Sequence, residues 1–489
     1  MKEVEMLPLA PNLIESTRSI GYSFETAVAD IIDNSISALA KNVYVDINAY
    51  DNPYVAILDD GFGMNLIDLQ NAMRYGSFNP NEKRKPSDLG RFGLGMKTAS
   101  LSQCRKLTVI SKKNGVINAC CWDLDYINKT QLWNLIIFDK DEINKDIPLI
   151  EKLSSQDAGT IVLWQNFDYL TESSVSLADN LNEKTNDLIY HLSLVFHRYL
   201  SYEDPQHGIN IYVNNNKLKP LDPFLSYHPA TQVLPVEPLE ILGEQILVKP
   251  FILPHFSKLS QQDKYMVGGE EGFKKNQGFY IYRNKRLIKW GTWFKMSRQE
   301  ELFKLARVMV DIPNTLDSIW QIDVKKSSAN LPDVIKINLC NIIKNIVDKS
   351  EKVFTYRGRN IGSKNINSVW TKIDNRGSYS YQINRNHPIV KQYENSLNCE
   401  EKSKFEKFLN LIQEAFPYDA VYVDVSKGNI TNQQIDDEQI YKEIMEYISN
   451  GEKAGLSKSD LVDSLITIEP FNKYIHVINN VREELLNDK

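Results

Sequence analysis

The chain has little cysteine and no pattern in what it has. Five cysteines (Cys104, Cys120, Cys121, Cys340, Cys399) are scattered over 489 residues with no CxxC pair. That odd, unpatterned set fits a reducing compartment better than a secreted disulfide framework. Cysteine and histidine nowhere take zinc-ligand spacing. All seven histidines lie at or beyond His191, so the chain before it has no imidazole for catalysis. No apolar run approaches the roughly 18 residues that a membrane helix needs, and the opening MKEVEMLPLAPNLIES lacks the apolar core of a signal peptide. The nearest stretch to a P-loop, Gly93-Leu94-Gly95-Met96-Lys97-Thr98, puts methionine before the lysine, and no Rossmann G-x-G-x-x-G opens a helix. An excess of positive charge is missing too: 57 Lys+Arg stand against 63 Asp+Glu, a net charge of −6. Any surface for nucleic acid or anionic lipid must therefore be a local patch. These absences leave a cytoplasmic, multidomain protein with no membrane contact.

What is present is ordinary globular composition, 42% apolar and 25% charged, which excludes wholesale disorder. At roughly 150 residues per domain the length suggests about three domains. Residues 1 to about 20 form a short polar arm. From Ser23, a plausible N-cap, SFETAVADIIDNSISALAK has helical periodicity. NVYVDINAY and YVAILDDG are β-rich runs around Asp51-Asn52-Pro53, which predicts a hairpin. Asn65 to Tyr75 is helical in pattern, residues 76–86 form a polar loop, and a short helix follows Gly90 to Gly95. Strands are expected at KLTVISKK, VINACCWDL and LWNLIIF, closing on Gly159 to Trp164. Alternating helices and antiparallel-type strands argue for an α+β sandwich over 1–165. A second α+β domain, 166–350, has a long helix (Leu177 to Tyr199), strands at GINIYVNNNKLK and GFYIYRNKRLIKWG, and a helix near Asp333 to Lys349. Residues 351–385 read as a polar, basic linker or loop. Residues 386–489 are mostly helical in pattern with one strand, DAVYVDV, and from 411 onward carry 7 basic against 15 acidic residues, or −8.

Three blocks bear chemistry. In Asp30-Ile31-Ile32-Asp33-Asn34-Ser35, Asp30 and Asn34 are four apart and leave one helix face a turn apart. An amide oxygen suits Mg²⁺, and a carboxylate suits orienting and deprotonating water; an ordinary solvated helix face would look the same. Ile57-Leu58-Asp59-Asp60-Gly61-Phe62-Gly63-Met64 is an apolar strand ending in Asp-x-Gly-x-Gly. A carboxylate there can accept an exocyclic amine, and glycine lets backbone approach a ligand; a plain hairpin turn is the alternative. In Leu89-Gly90-Arg91-Phe92-Gly93-Leu94-Gly95-Met96-Lys97-Thr98, three glycines run into a helix whose N–H groups suit an anion, with Lys97 and Thr98 adding charge and hydroxyl.

In this order and spacing the blocks resemble the N, G1 and G2 boxes of the GHKL superfamily (gyrase, heat-shock chaperone, histidine kinase, MutL), and Gly159-Thr160 resembles the fourth box. The nearest flavour is that of the MORC ATPases and their prokaryotic relatives. The resemblance implies a Bergerat sandwich with Mg·ATP between its layers. It places Asn34 on Mg²⁺, Asp59 on adenine, and Gly61, Gly63, Met64, Gly90, Gly93, Leu94, Gly95, Met96, Lys97, Thr98 and Thr160 around the nucleotide. Hydrolytic members carry Glu where this chain has Asp30 as base, with Asp33 or Glu25 as alternatives. The missing methylene leaves slow turnover or a switch-like use of ATP open.

Phe279 to Ile288 and Ile322-Asp323-Val324-Lys325-Lys326-Ser327 resemble the transducer domain of gyrase, MutL and MORC proteins. In those families a loop lysine reaches the terminal phosphate; Lys326 matches best, Lys325 is the alternative, and solvated loop lysines are the bland reading. Between Arg283 and Arg298 the basic residues Arg283, Lys285, Arg286, Lys289, Lys295 and Arg298 alternate with Tyr282, Trp290, Trp293 and Phe294, without an acid. That mix suits phosphate contact and base stacking, and equally a charged strand edge. Arg357, Arg359, Lys364, Lys372 and Arg376 extend the possible footprint.

The leading expectation is an ATP-dependent machine in which nucleotide orders the lid at 76–95, docks the transducer and dimerises the heads, the 1–20 arm crossing to the partner. Its work would be on DNA, in topology or genome defence, with an operon-encoded nuclease or other protein partner. The alternative is a chaperone-like ATPase acting on protein clients. A histidine kinase fares worst, because no histidine precedes the first box.

Overall fold

The computed structural model describes residues 3, 6, 8–19, 21–76, 95–171, 176–203, 205–206, 208–255, 258–269, 272–299, 303–316, 320, 335–336, 339–340, 343, 366–375, 378–418, 420–421 and 436–487. They fall into two compact units, 1–355 and 356–489.

The first unit opens with α1 (Ala10–Arg18) and α2 (Phe24–Ser37), the latter capped by Ser23, whose side chain accepts the Thr26 amide. β1 (Asn42–Asn48) and β2 (Tyr54–Asp59) form the expected antiparallel hairpin. Then come α3 (Leu66–Met73), α4 (Gly95–Leu101), β3 (Lys106–Lys113), β4 (Val116–Asp123), α5 (Leu124–Thr130), β5 (Ile136–Ile137), α6 (Ile150–Ser155) and β6 (Gly159–Gln165). α7 (Leu177–Val195), α8 (His197–Leu200), β7 (Asn210–Val213) and β8 (Asn216–Lys217) follow. The eight strands make one sheet in the order β5-β4-β3-β6-β2-β1-β7-β8, with β1 and β7 parallel. Where the sequence suggests a division at 165, this sheet and its core run on through Leu218. Of LWNLIIF, only Ile136 and Ile137 join the ladder.

Strand alternation decides what faces what. Val55 and Ile57 of β2 point into the larger core with α1, α2 and α7, while Ala56 and Leu58 point to the other face, covered by Ile150 and Leu153 of α6. Asp59 continues the parity of Val55 and Ile57, so its carboxylate is delivered to the face covered by α1, α2 and α7.

A second sheet contains β9 (Gln232–Val233), β10 (Glu237–Ile241), β11 (Glu244–Ile252), β12 (Gly278–Arg283), β13 (Arg286–Thr292) and β14 (Ala306–Ile312), in the path β10-β11-β14-β12-β13 with β9 on β11. Helices α9 (Gln261–Gly268) and α10 (Gly272–Lys275) precede β12. Asn284 and Lys285 both take positive φ (48° and 66°), the two-residue turn whose twist matches the strands it joins. Leu194 of α7 packs with Phe224, Phe251, Tyr280, Tyr282 and Leu287, tying this sheet to α7.

The second unit holds a hairpin, β15 (Trp370–Asn375) and β16 (Ser378–Ile383), in the stretch expected as linker. Helices α11 (Pro388–Ser396), α12 (Cys399–Glu414), α13 (Asp437–Lys453), α14 (Lys458–Leu465) and α15 (Ile475–Asn487) confirm the helical expectation. Ile440, Ile444, Ile448, Leu461, Leu465 and Ile478 centre their core. DAVYVDV is a correction: Ala420 and Val421 are helical, and 422–425 lie outside the described residues. Short apolar alternation does not by itself separate strand from helix.

Candidate functional site

The register lines up Asp59 of β2, Thr160 of β6 and Ser111 of β3 as neighbours at one end of the first sheet. All three share the helix-facing parity. Asp59 Oδ1 accepts the Gly61 amide (2.9 Å) and Oδ2 accepts the Ser35 hydroxyl of α2 (2.9 Å). Burial pushes its carboxyl up to about 6, tempered by those two donors. Asp60, by contrast, turns away to hold the Lys41 and Asn42 amides (2.7 and 2.9 Å), so the two adjacent acids have different jobs. Beside Asp59, Ser111 Oγ lies 2.8 Å from Thr160 Oγ1, donates to the Gly159 carbonyl (3.0 Å) and accepts the Met64 amide (2.8 Å). Gly63 sits at φ +63°, and a Cβ there would stand 1.9 Å from the Lys112 carbonyl oxygen. A Cβ on Gly61 would meet Ala38 Cβ at 2.7 Å. Both glycines thus let backbone approach where no side chain fits.

On α2, Asp30, Asp33 and Ser35 are buried while Asn34 is exposed, its amide open to solvent on an otherwise covered stretch. Asp30 and Asn34 share one face as expected. Asp30 Oδ2 accepts the Tyr22 hydroxyl at 3.1 Å, and Gly95 of α4 comes close enough that a Cβ on it would lie 3.6 Å from the same oxygen. Asp33 instead meets Arg286 of β13, whose Nε donates to Oδ1 at 2.8 Å.

The glycine cradle is described only at its helical end. Gly90, Gly93 and Leu94 lie outside the described residues; Gly95, Met96, Lys97 and Thr98 open α4. Lys97 is buried, donates to the Ala72 carbonyl (2.7 Å), and burial lowers its ammonium to about 8. Thr98 is buried as well. Lys325 and Lys326 lie outside the described residues, as do Arg357, Arg359, Lys364 and Arg376; Lys372 is exposed.

Two expectations need correction. The basic hairpin is not an open footprint for nucleic acid: Arg283 and Arg286 are each 4% exposed, and Lys285 is half-buried. Its aromatic neighbours Tyr280 and Tyr282 belong to a core, and the Asn284 carbonyl accepts the Tyr199 hydroxyl of α8. Only Lys295 and Arg298 of that run are exposed. Nor do residues 10–18 reach for a partner. They form α1, with Ala10 and Ile14 in the core and Arg18 bound to Asp168 (2.6 Å) and the Leu101 carbonyl (2.6 Å).

Sequence reading missed Ser35 and Ser111, both donors at the sheet end, and the partnership of Asp33 with Arg286. A serine in the middle of KLTVISKK gives no local signal; only the strand register puts Ser111 beside Thr160.

Residues 22–160 match the family described as histidine kinase-, DNA gyrase B- and HSP90-like ATPase. Together with the sheet-end carboxylate and the α2 face, this makes the first part of the chain a GHKL-type ATPase domain. The particular likeness is to a MORC protein: the chain is 22% identical over 193 residues to the ATPase morc-1 of Caenorhabditis elegans, covering 38% of this chain and 22% of that one. The chain thus spans about a fifth of that relative's length. Among solved structures, the ATPase and transducer domains of DNA topoisomerase II from Balamuthia mandrillaris align over 68% of this chain and 86% of theirs, at 12% identity and a TM-score of 0.40. Among the described residues no helix is long and apolar enough to cross a membrane.

Proposed function

We propose that this chain binds Mg·ATP between α2 and the end of the first sheet and hydrolyses it slowly, using the cycle to change how its domains and two copies of the chain meet. The observation that carries this is Asp59: a buried strand-end carboxylate held by Ser35 and the Gly61 amide, on the helix-covered side of an ATPase-family sheet. Its remaining lone pairs suit the adenine amine. Thr160, Met64, Gly61 and Gly63 frame that end, and Gly95, Met96, Lys97 and Thr98, with Gly90, Gly93 and Leu94, would lie along the phosphates.

The residues fit the metal this class implies. Among the described residues no three acids, histidines or cysteines form a cluster that holds a cation alone. Asn34 is the residue that would hold Mg²⁺ here, through its amide oxygen, and the bound ion would neutralise phosphate charge. Asp30 is the base: its carboxylate takes the proton of the attacking water while the terminal phosphoryl leaves the β-phosphate oxygen. Asp30 is a methylene shorter than glutamate, and ~1 Å of misplacement costs about a hundredfold, so turnover is slow. Lys326 is the cation recruited to the terminal phosphate.

We place the work of this cycle on DNA, in topology or genome defence, supported by the MORC likeness and by the exposed Lys295, Arg298 and Lys372. The acidic balance of 411–489 favours a second reading, a protein client. Phosphate release with Mg·ATP, with and without DNA across a salt series, tests both. DNA action predicts stimulation that falls steeply with salt; no retention of DNA at low salt with ATP present leaves the protein client.

A further inference from the structure

One charge joins the two sheets at the base. Arg286 lies on β13 of the second sheet, 253 positions from Asp33, yet donates to it from Nε at 2.8 Å, while its Nη2 stands 3.6 Å from Asp30 Oδ1. The side chains of Arg286, Asp30 and Asp33 are 5%, 2% and 1% exposed. The guanidinium also lies 5.8 Å from the centre of the Phe196 ring. Its planar fork therefore cannot swing without breaking a buried ion pair, whose loss strands uncompensated charge. On the far side of Asp30, Tyr22 donates to Oδ2. The carboxylate is thus aimed from both ends, by a hydroxyl of its own domain and a cation of the next. The hairpin carrying that cation is seated on the ATPase side at two further points, Tyr199 on Asn284 and His197 on Tyr282 (2.7 Å).

We propose that Arg286 is a positioning residue for hydrolysis: anchored on Asp33, it fixes Asp30, so the base is competent only while the second sheet is docked on α2. This rests on Asp30 being the base. It differs from a lysine reaching the phosphate, because Arg286 acts through the base it touches.

The test uses the full chain, measuring kcat, KM, affinity for a non-hydrolysable ATP analogue and melting temperature. For Arg286→Gln the expected loss in kcat is about 100-fold, with KM and analogue affinity within about threefold. Arg286→Lys restores the buried charge and hence most of the melting temperature, yet leaves kcat at least about tenfold low, since an ammonium has no fork to span two carboxylates. Asp33→Asn combined with Arg286→Gln is no slower than Arg286→Gln alone, as expected of one unit. Arg286→Lys turning over at the wild-type rate overturns the proposal, whether or not the glutamine variant folds; so does a fall in kcat matched by an equal fall in affinity. Asp30→Asn separates this from the underlying reading. If it keeps wild-type turnover, the base lies elsewhere and that reading fails. If it abolishes turnover while both Arg286 variants keep it, only the role of Arg286 fails.

Discussion

The Ser35 hydroxyl of α2 donates to Asp59 Oδ2 at 2.9 Å, joining the helix that carries Asp30 and Asn34 to the strand end that we propose holds the base of the nucleotide. Burial raises the Asp59 carboxyl from 3.8 to about 6. Two consequences have opposite signs. For folding, the native state binds the proton more tightly than the unfolded chain, so this group's contribution to stability falls as pH rises from 3.8 through 6. For nucleotide, the ionised carboxylate is the better acceptor, so ATP affinity falls as pH drops through 6. Ser35→Ala removes a donor to the charged form and should start that fall at higher pH. Calorimetric affinities from pH 5 to 8 check it; a flat profile contradicts the assignment.

Lys97 is held away from solvent on the Ala72 carbonyl, with burial lowering its ammonium to about 8. The unfolded chain binds that proton more tightly, so ligand-free stability should rise as pH increases from about 8 toward 10.5. Lys97→Met removes a buried charge whose hydrogen bond only partly offsets desolvation. The ligand-free variant should melt no lower than wild type, while the rise in melting temperature given by ATP shrinks. A ligand-free loss of several degrees, with the ATP effect intact, argues that the lysine is structural.

Arg18 secures α1 through Asp168 and the Leu101 carbonyl. Arg18→Ala should cost about 3 kcal/mol, the low end for a broken buried pair because Asp168 keeps some solvent. Denaturant titration measures it. A loss under about 0.5 kcal/mol, the scale of an exposed pair, would show that α1 is not held by this contact.

The site was legible where chemistry is local and opaque where it is not. Asp30 and Asn34 share a face because helix spacing requires it, and Asp59 ends a continuous apolar run, Val55 to Leu58, that reads as a buried strand. The β1–β2 hairpin and the Ser23 cap followed from turn and cap residues for the same reason. The segment around Arg283 and Arg286 misled because basic and aromatic side chains look alike in a groove for phosphate and in a joint between sheets. What separates the two is burial, and burial there depends on α2, α7 and α8, far away in sequence. The arm at 10–18 was opaque likewise: its helix is fixed by Leu101 and Asp168, not by its own polar composition.

The most direct measurement is calorimetric titration of Mg·ATP into the wild-type chain and Asp59→Asn side by side, with melting curves to confirm that both are folded. An amide in that place presents a donor to a donor and leaves buried groups unpaired, which costs about 1–3 kcal/mol for each group and up to roughly a hundredfold in affinity. We predict binding by the wild type and its loss in the variant. Equal affinities in two folded proteins would contradict the account.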